Sequence, residues 1–229
     1  MDAITLLERD HEEVDALFNR FERASGSRER RHIADQVIEA LSRHAAIEEQ
    51  FFYPAIRERS RRSEEIALEA LEEHHVVKWL LFELAKMQPS EERFEAKMTV
   101  LAENVRHHIE DERKELFPLV RRVFQREELA DLGVLMEEAK RMAPTRPHPR
   151  SPDTPPGNLF TGAVAAVLDR GRDFISGEKR LPRRISAKLS RRRSGGSNRR
   201  RRGSTSARGR RSNRSGSAGS RRTRRSSRR

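Results

Sequence analysis

Two stretches of the chain carry the same chemical pattern, H-x3-E-x5-P: His44-A-A-I-Glu48-E-Q-F-F-Y-Pro54 and His108-I-E-D-Glu112-R-K-E-L-F-Pro118. Residues four apart on a helix share one face, so each copy can aim an imidazole nitrogen and a carboxylate oxygen at one point. Each copy also follows a further histidine at nearly constant distance, His11 before His44 and His74 before His108. Around those two, D-H-E-E-V-D-A-L and E-H-H-V-V-K-W-L align with Val14 over Val77 and Leu17 over Leu80. The chain reads as two helical hairpins of one design, each supplying H…HxxxE.

One histidine on an apolar stripe is ordinarily a hydrogen-bonded core residue. Four imidazoles and two carboxylates on the inward stripes of successive helices are different, because a buried carboxylate without a cation costs several kcal/mol. The stripes read as free of lysine and arginine, so two divalent cations are expected in their place. Nitrogen and carboxylate ligands suit iron, manganese or zinc. Glu48 and Glu112 read as bridges, and His11, His44, His74 and His108 as terminal ligands. Alignment with His11 selects His74 over its neighbour His75. His107 falls on a polar face with Asn104 and Asp111; Glu49, Glu73 and Tyr53 read as outer partners of the ligands or as surface residues. His32 and His148 carry no spacing signal.

The elements that must position these groups are long amphipathic helices. Leu7, Val14, Phe18 and Phe21 mark a first helix, over about 5–24, with Thr5 and Glu8 as a capping box. A second runs over about 28–58 after the Ser25-Gly26-Ser27 break; a third begins at Ser63 and ends near Met87 before Pro89. A fourth, capped by Ser90, spans about 91–123. Short connections between four such helices predict an all-α, up-and-down antiparallel four-helix bundle over residues 1–125. An accessory helix over 126–143 is expected to pack outside it. Residues 144–157 read as a Pro-rich linker, T-R-P-H-P-R-S-P-D-T-P-P at its core, and 158–178 as a weak amphipathic helix for which docking on the bundle is favoured over contact with a membrane surface or a loose segment.

Charge divides the chain sharply. Residues 179–229 hold 22 Lys and Arg and no acid, whereas residues 1–178 carry 27 basic and 36 acidic side chains, a net −9. The Arg/Ser/Gly-rich tail over 179–229 lacks an apolar pattern, predicting disorder and non-specific phosphate neutralisation on nucleic acid. No cysteine is present, which excludes disulfides, thiolate metal sites and cysteine nucleophiles. The N-terminus M-D-A-I-T-L-L-E-R-D is acidic where a signal peptide is basic, and the longest later apolar stretch, 160–168, is too short to span a bilayer, so a cytoplasmic location is expected.

With D-H-E-E-V, H-A-A-I-E-E-Q-F-F-Y-P, E-E-H-H-V-V-K-W-L-L and H-H-I-E-D-E-R-K-E-L-F-P in hand, residues 1 to about 123 resemble the hemerythrin-like HHE cation-binding family, most closely its actinobacterial H-HxxxE-H-HxxxE members. The resemblance implies a bundle holding a non-heme di-iron centre, with two iron ions as cofactor. Oxygen-carrying hemerythrins have two histidines four apart on the third helix, and the position four after His74 here is Lys78. The resemblance therefore implies a protein that binds or decomposes peroxide, oxygen or nitric oxide in redox or stress response, rather than an oxygen carrier. The rival expectation is a nucleic-acid-associated protein acting through its tail.

Overall fold

A computed structural model describes residues 1–152. The expected amphipathic segment over 158–178 and basic tail over 179–229 lie outside the described residues, as does the end of the Pro-rich linker. Four long helical arms run up and down: α1 (Ala3–Arg23), α2 (Ser27–Ile47) continued by α3 (Tyr53–Arg57), α4 (Arg61–Leu84), and α5 (Phe94–Asp111) continued by α6 (Phe117–Val123). A fifth helix, α7 (Arg126–Met142), packs on α1 and α2.

Several helix starts differ from the sequence reading, each for a local reason. Asp2, not Thr5, caps α1, accepting from the Thr5 amide at 2.9 Å. Ser60 caps α4 through a reciprocal box with Ser63, so the helix begins at Arg61, before the expected Ser63. The expected Ser90 cap fails because residues 91–93 form a turn, and α5 begins at Phe94 without a side-chain cap.

The arms containing the repeated motif are not uniformly α-helical. Glu48–Phe52 and Glu112–Leu116 are each a π-helical turn, closed by the Tyr53 amide donating to the Glu48 carbonyl and the Phe117 amide to the Glu112 carbonyl. The prolines explain the position. Pro54 and Pro118 have no N–H, and in a continuous α-helix their rings would strike the carbonyl four residues back; a turn widened by one residue moves that carbonyl aside. The H-x3-E-x5-P spacing is thus partly a backbone instruction, which places a wide turn directly after each glutamate.

Apolar packing falls into two clusters. One, at the end where α1 starts, joins Ile4, Leu7, Phe51, Phe52, Leu116 and Phe117 to the inner face of α7. The other, at the opposite end, joins Val14, Phe18, Ile33, Leu81, Phe94 and Leu101. Between them lies a belt of buried polar residues that includes His11, His44, Glu48, His74, His108 and Glu112. The accessory helix is more than a cover: Leu132, Leu135 and Met136 are core residues, and Gly133 lets the helix touch the backbone of Met1, Asp2 and Ala3. No described helix is long and apolar enough to cross a membrane.

Candidate metal centre

The four arms bring the six expected residues to one place. His11 Nε2 lies 3.2 Å from His44 Nε2, and His74 Nε2 lies 3.4 Å from His108 Nε2, so the imidazoles form two pairs. Each carboxylate stands between the pairs. Glu48 Oε2 is 3.1 Å from His44 Nε2 and 3.3 Å from His74 Nε2; Glu112 Oε2 is 3.3 Å from His11 Nε2 and 3.7 Å from His108 Nε2. His11, His44 and Glu48 form one group able to hold an ion, and Glu48, His74 and His108 a second, with Glu48 common to both.

All of these separations but the 3.7 Å between Glu112 and His108 fit cations, and Glu112 belongs to neither group. Two ligands about 2.1 Å from one ion and about 90–110° apart stand about 3.0–3.4 Å from each other. Glu48 is fully buried, and neither of its oxygens has a hydrogen-bond donor aligned on it; the same holds for Glu112 Oε2. Such orphaned charges are costly unless something positive sits among them.

The outer edges of the rings support the same arrangement. His74 Nδ1 lies 3.1 Å from Glu49 Oε1 and His108 Nδ1 lies 2.7 Å from Glu73 Oε2. A carboxylate at Nδ1 selects the tautomer protonated there, which turns the Nε2 lone pair inward as a ligand. His44 Nδ1 faces Asp10 at 3.8 Å, and Asp10 is in turn held by Lys140 of α7 at 2.6 Å. His11 Nδ1 has no hydrogen-bond partner among the described residues, and its ring instead stacks on Phe117. The Tyr53 hydroxyl donates to Glu112 Oε1 at 3.1 Å and lies 3.4 Å from His74 Nε2, close enough to act beside the ligands.

Without metal the belt is an ionic network. Burial opposes charge on His44, but Glu48 and Asp10 outweigh it and raise its pKa to about 10. Burial likewise opposes charge on His74, and the Glu48 and Glu49 carboxylates beside it outweigh burial and raise it to about 9. Glu48, despite its own burial, is held well below the ordinary carboxylate range by His44 and then His74. Burial, then the charges of Glu112 and Glu48, push the Tyr53 phenol well above 10, so it remains a neutral donor.

Lys78 is 7% exposed on the inner side of α4, so the stripes are not free of lysine. Its ammonium serves Glu49, at 3.0 and 3.2 Å from the two oxygens. Asp10 and Lys140 were missed altogether. Asp10 adjoins His11 in D-H-E-E but serves His44 on the next helix, a relation no sequence spacing exposes. His75 turns away, accepting from Trp79 Nε1 at 3.2 Å, and the His107 side chain is 68% exposed beside Asp111.

A cavity of about 20 Å³ touches His11, His44, His74 and His108 and is otherwise walled by apolar side chains, among them Val14, Leu41, Val77 and Ile109. His11 and Ile109 separate it from an outer groove of about 520 Å³ between α1 and α5.

Comparison with known proteins gives the family. The family model of the hemerythrin HHE cation-binding domain matches residues 2–120. The chain belongs to that family. A hemerythrin-like chain with His/Glu clusters able to hold metal is therefore a cation-binding protein. It is 26% identical over 168 residues to an uncharacterized hemerythrin-like protein of Schizosaccharomyces pombe, covering 73% of this chain and 83% of that one. It is also 26% identical over 135 residues to a DNA nickase of Nostoc, covering 59% of this chain but 38% of the nickase. In fold it is similar to the crystal structure of a hemerythrin HHE cation-binding domain-containing protein from Mycobacterium kansasii, with a TM-score of 0.55 and 24% identity over 62% of this chain and 86% of that one. The hemerythrin match ends before α7, so Lys140 and the Gly133 contact lie outside it.

Proposed function

We propose that this hemerythrin-like chain holds a non-heme di-iron pair between His11, His44, Glu48, His74, His108 and Glu112, and binds a peroxide, oxygen or nitric oxide molecule beside it. The observation that carries the reading is the small apolar cavity against all four imidazoles. Its volume is close to the minimum of about 10–15 Å³ needed to admit one water-sized molecule. Iron, when bound, supplies open coordination positions and redox change. The chain does the rest: Glu49 and Glu73 orient His74 and His108, Tyr53 holds Glu112 in place, and the apolar wall excludes bulk water. Lys78 stands where an oxygen carrier has a further histidine, which leaves positions for an exogenous ligand.

Plasma mass spectrometry on tag-free protein from iron-supplemented cells tests the first half. About two irons per chain, lost in Glu48→Ala and Glu112→Ala, are expected. Folded parent protein without metal would refute it. Nitric oxide or peroxide added to the iron-loaded protein should shift its visible spectrum, and substituting Val77→Trp into the cavity wall should abolish that shift while sparing the iron.

A second reading, association with nucleic acid through residues 179–229, is supported by their 22 basic and no acidic side chains and by the similarity to a DNA nickase. Binding of this kind falls steeply with salt. A chain ending near Pro144 should lose it, and equal binding by the shortened chain would dismiss the idea.

A further inference from the structure

Outside the polar belt, α5 presents a second histidine–acid pair displaced by one residue from the first. His107 Nδ1 lies 2.9 Å from Asp111 Oδ2, directly beside His108 and Glu112 in sequence. Across the seam between α4 and α5, Glu73 completes a group whose ligand atoms all lie within 4.8 Å of one another. The side chains are 68%, 47% and 29% exposed for His107, Asp111 and Glu73, so the group opens to solvent. Glu73 also holds His108 Nδ1 at 2.7 Å, which makes it the one side chain shared between this group and the buried belt.

We propose that Glu73, His107 and Asp111 form an exposed site for a first-row divalent cation, from which metal reaches the buried belt. One imidazole and two carboxylates suit manganese, iron or zinc. With three protein ligands on one side and water on the other, an ion there would exchange readily, as delivery requires. A His107–Asp111 pair alone would be an ordinary contact of neighbours on a solvated helix face. Glu73 distinguishes it, because that carboxylate comes from another helix and is held in position by its bond to His108. The delivery role rests on the belt being the metal centre; the exposed site does not.

Zinc titration by calorimetry of the full chain, and of the full chain carrying Glu48→Ala, separates the two. In both backgrounds His107→Ala should remove one equivalent of zinc, and Asp111→Asn should weaken that equivalent tenfold or more. Equal stoichiometry with and without His107 in both backgrounds overturns the exposed site, whatever the belt holds. Loss of that equivalent from a chain whose belt never takes metal would retain the exposed site and defeat the proposed centre. For delivery, ferrous uptake by metal-free protein should slow at least threefold in His107→Ala with the final content of the belt unchanged; an unchanged rate overturns delivery.

Discussion

Removing metal should invert how the bundle responds to pH. In the metal-free chain His44 and His74 hold their protons to about 10 and about 9, against an ordinary value of 6.5. Between pH 6.5 and 9 the folded state therefore binds protons that the unfolded state has released, and stability must fall as pH rises. One such proton gives about 1.4 kcal/mol per pH unit, and two give twice that. The contribution is fully present below 6.5 and lost as pH climbs through the folded values. Glu48 acts oppositely: its depressed pKa contributes above the ordinary 4.5 and is lost as pH falls through the lower folded value. The loaded chain carries neutral ligand imidazoles in the folded state, so it should be nearly flat from 6.5 to 9 and lose stability below 6.5, where the unfolded chain takes up protons. Urea unfolding followed by circular dichroism at pH 6.5, 7.5 and 8.5, on chelator-stripped and anaerobically iron-loaded protein, reads both slopes. Stripped protein whose stability is flat or rising over that interval would refute the reasoning.

Lys78→Met should destabilise the stripped protein by about 1–3 kcal/mol, because it removes one of the two cationic partners of the buried Glu49 and leaves only His74; adding Glu49→Gln should recover part of the loss in urea melts. Gly133→Ala should lower the melting temperature despite alanine's helix preference of about 1 kcal/mol, since the added carbon would stand 2.6 Å from the Asp2 carbonyl carbon and the Met1 oxygen. Tyr53→Phe should cost about 1–3 kcal/mol by leaving Glu112 Oε1 without its donor, and should release iron faster to a competing chelator.

The bundle and the meeting of six side chains were legible because both rest on helical periodicity: a histidine and a glutamate four apart on an apolar stripe have only one direction in which to point. Less visible was anything set by contacts between helices. Asp10 reaches His44 and Lys140 reaches Asp10 across the packing, with no fixed sequence interval to announce them, whereas Glu73, which the sequence offers as an outer partner or a surface residue, pairs with His108. Lys78 misled for a related reason. A lysine four residues after His74 looks like the polar edge of α4, until Glu49 arrives from the neighbouring arm to pair with it. The π turns were written in the sequence as prolines at equal distance, but periodicity in units of four conceals a turn that is one residue longer.

The two apolar clusters never merge into one core; the polar belt divides them. In a stripped chain each end of the bundle has its own packing, and the ionic network of the belt and the continuity of the arms are what couple one end to the other. Ligands from all four arms closing on shared ions would join the halves, so that opening either end means breaking the same bonds. Metal occupancy then governs how many cooperative units the chain unfolds in, and amide exchange at the two ends should become a single process when the belt is filled.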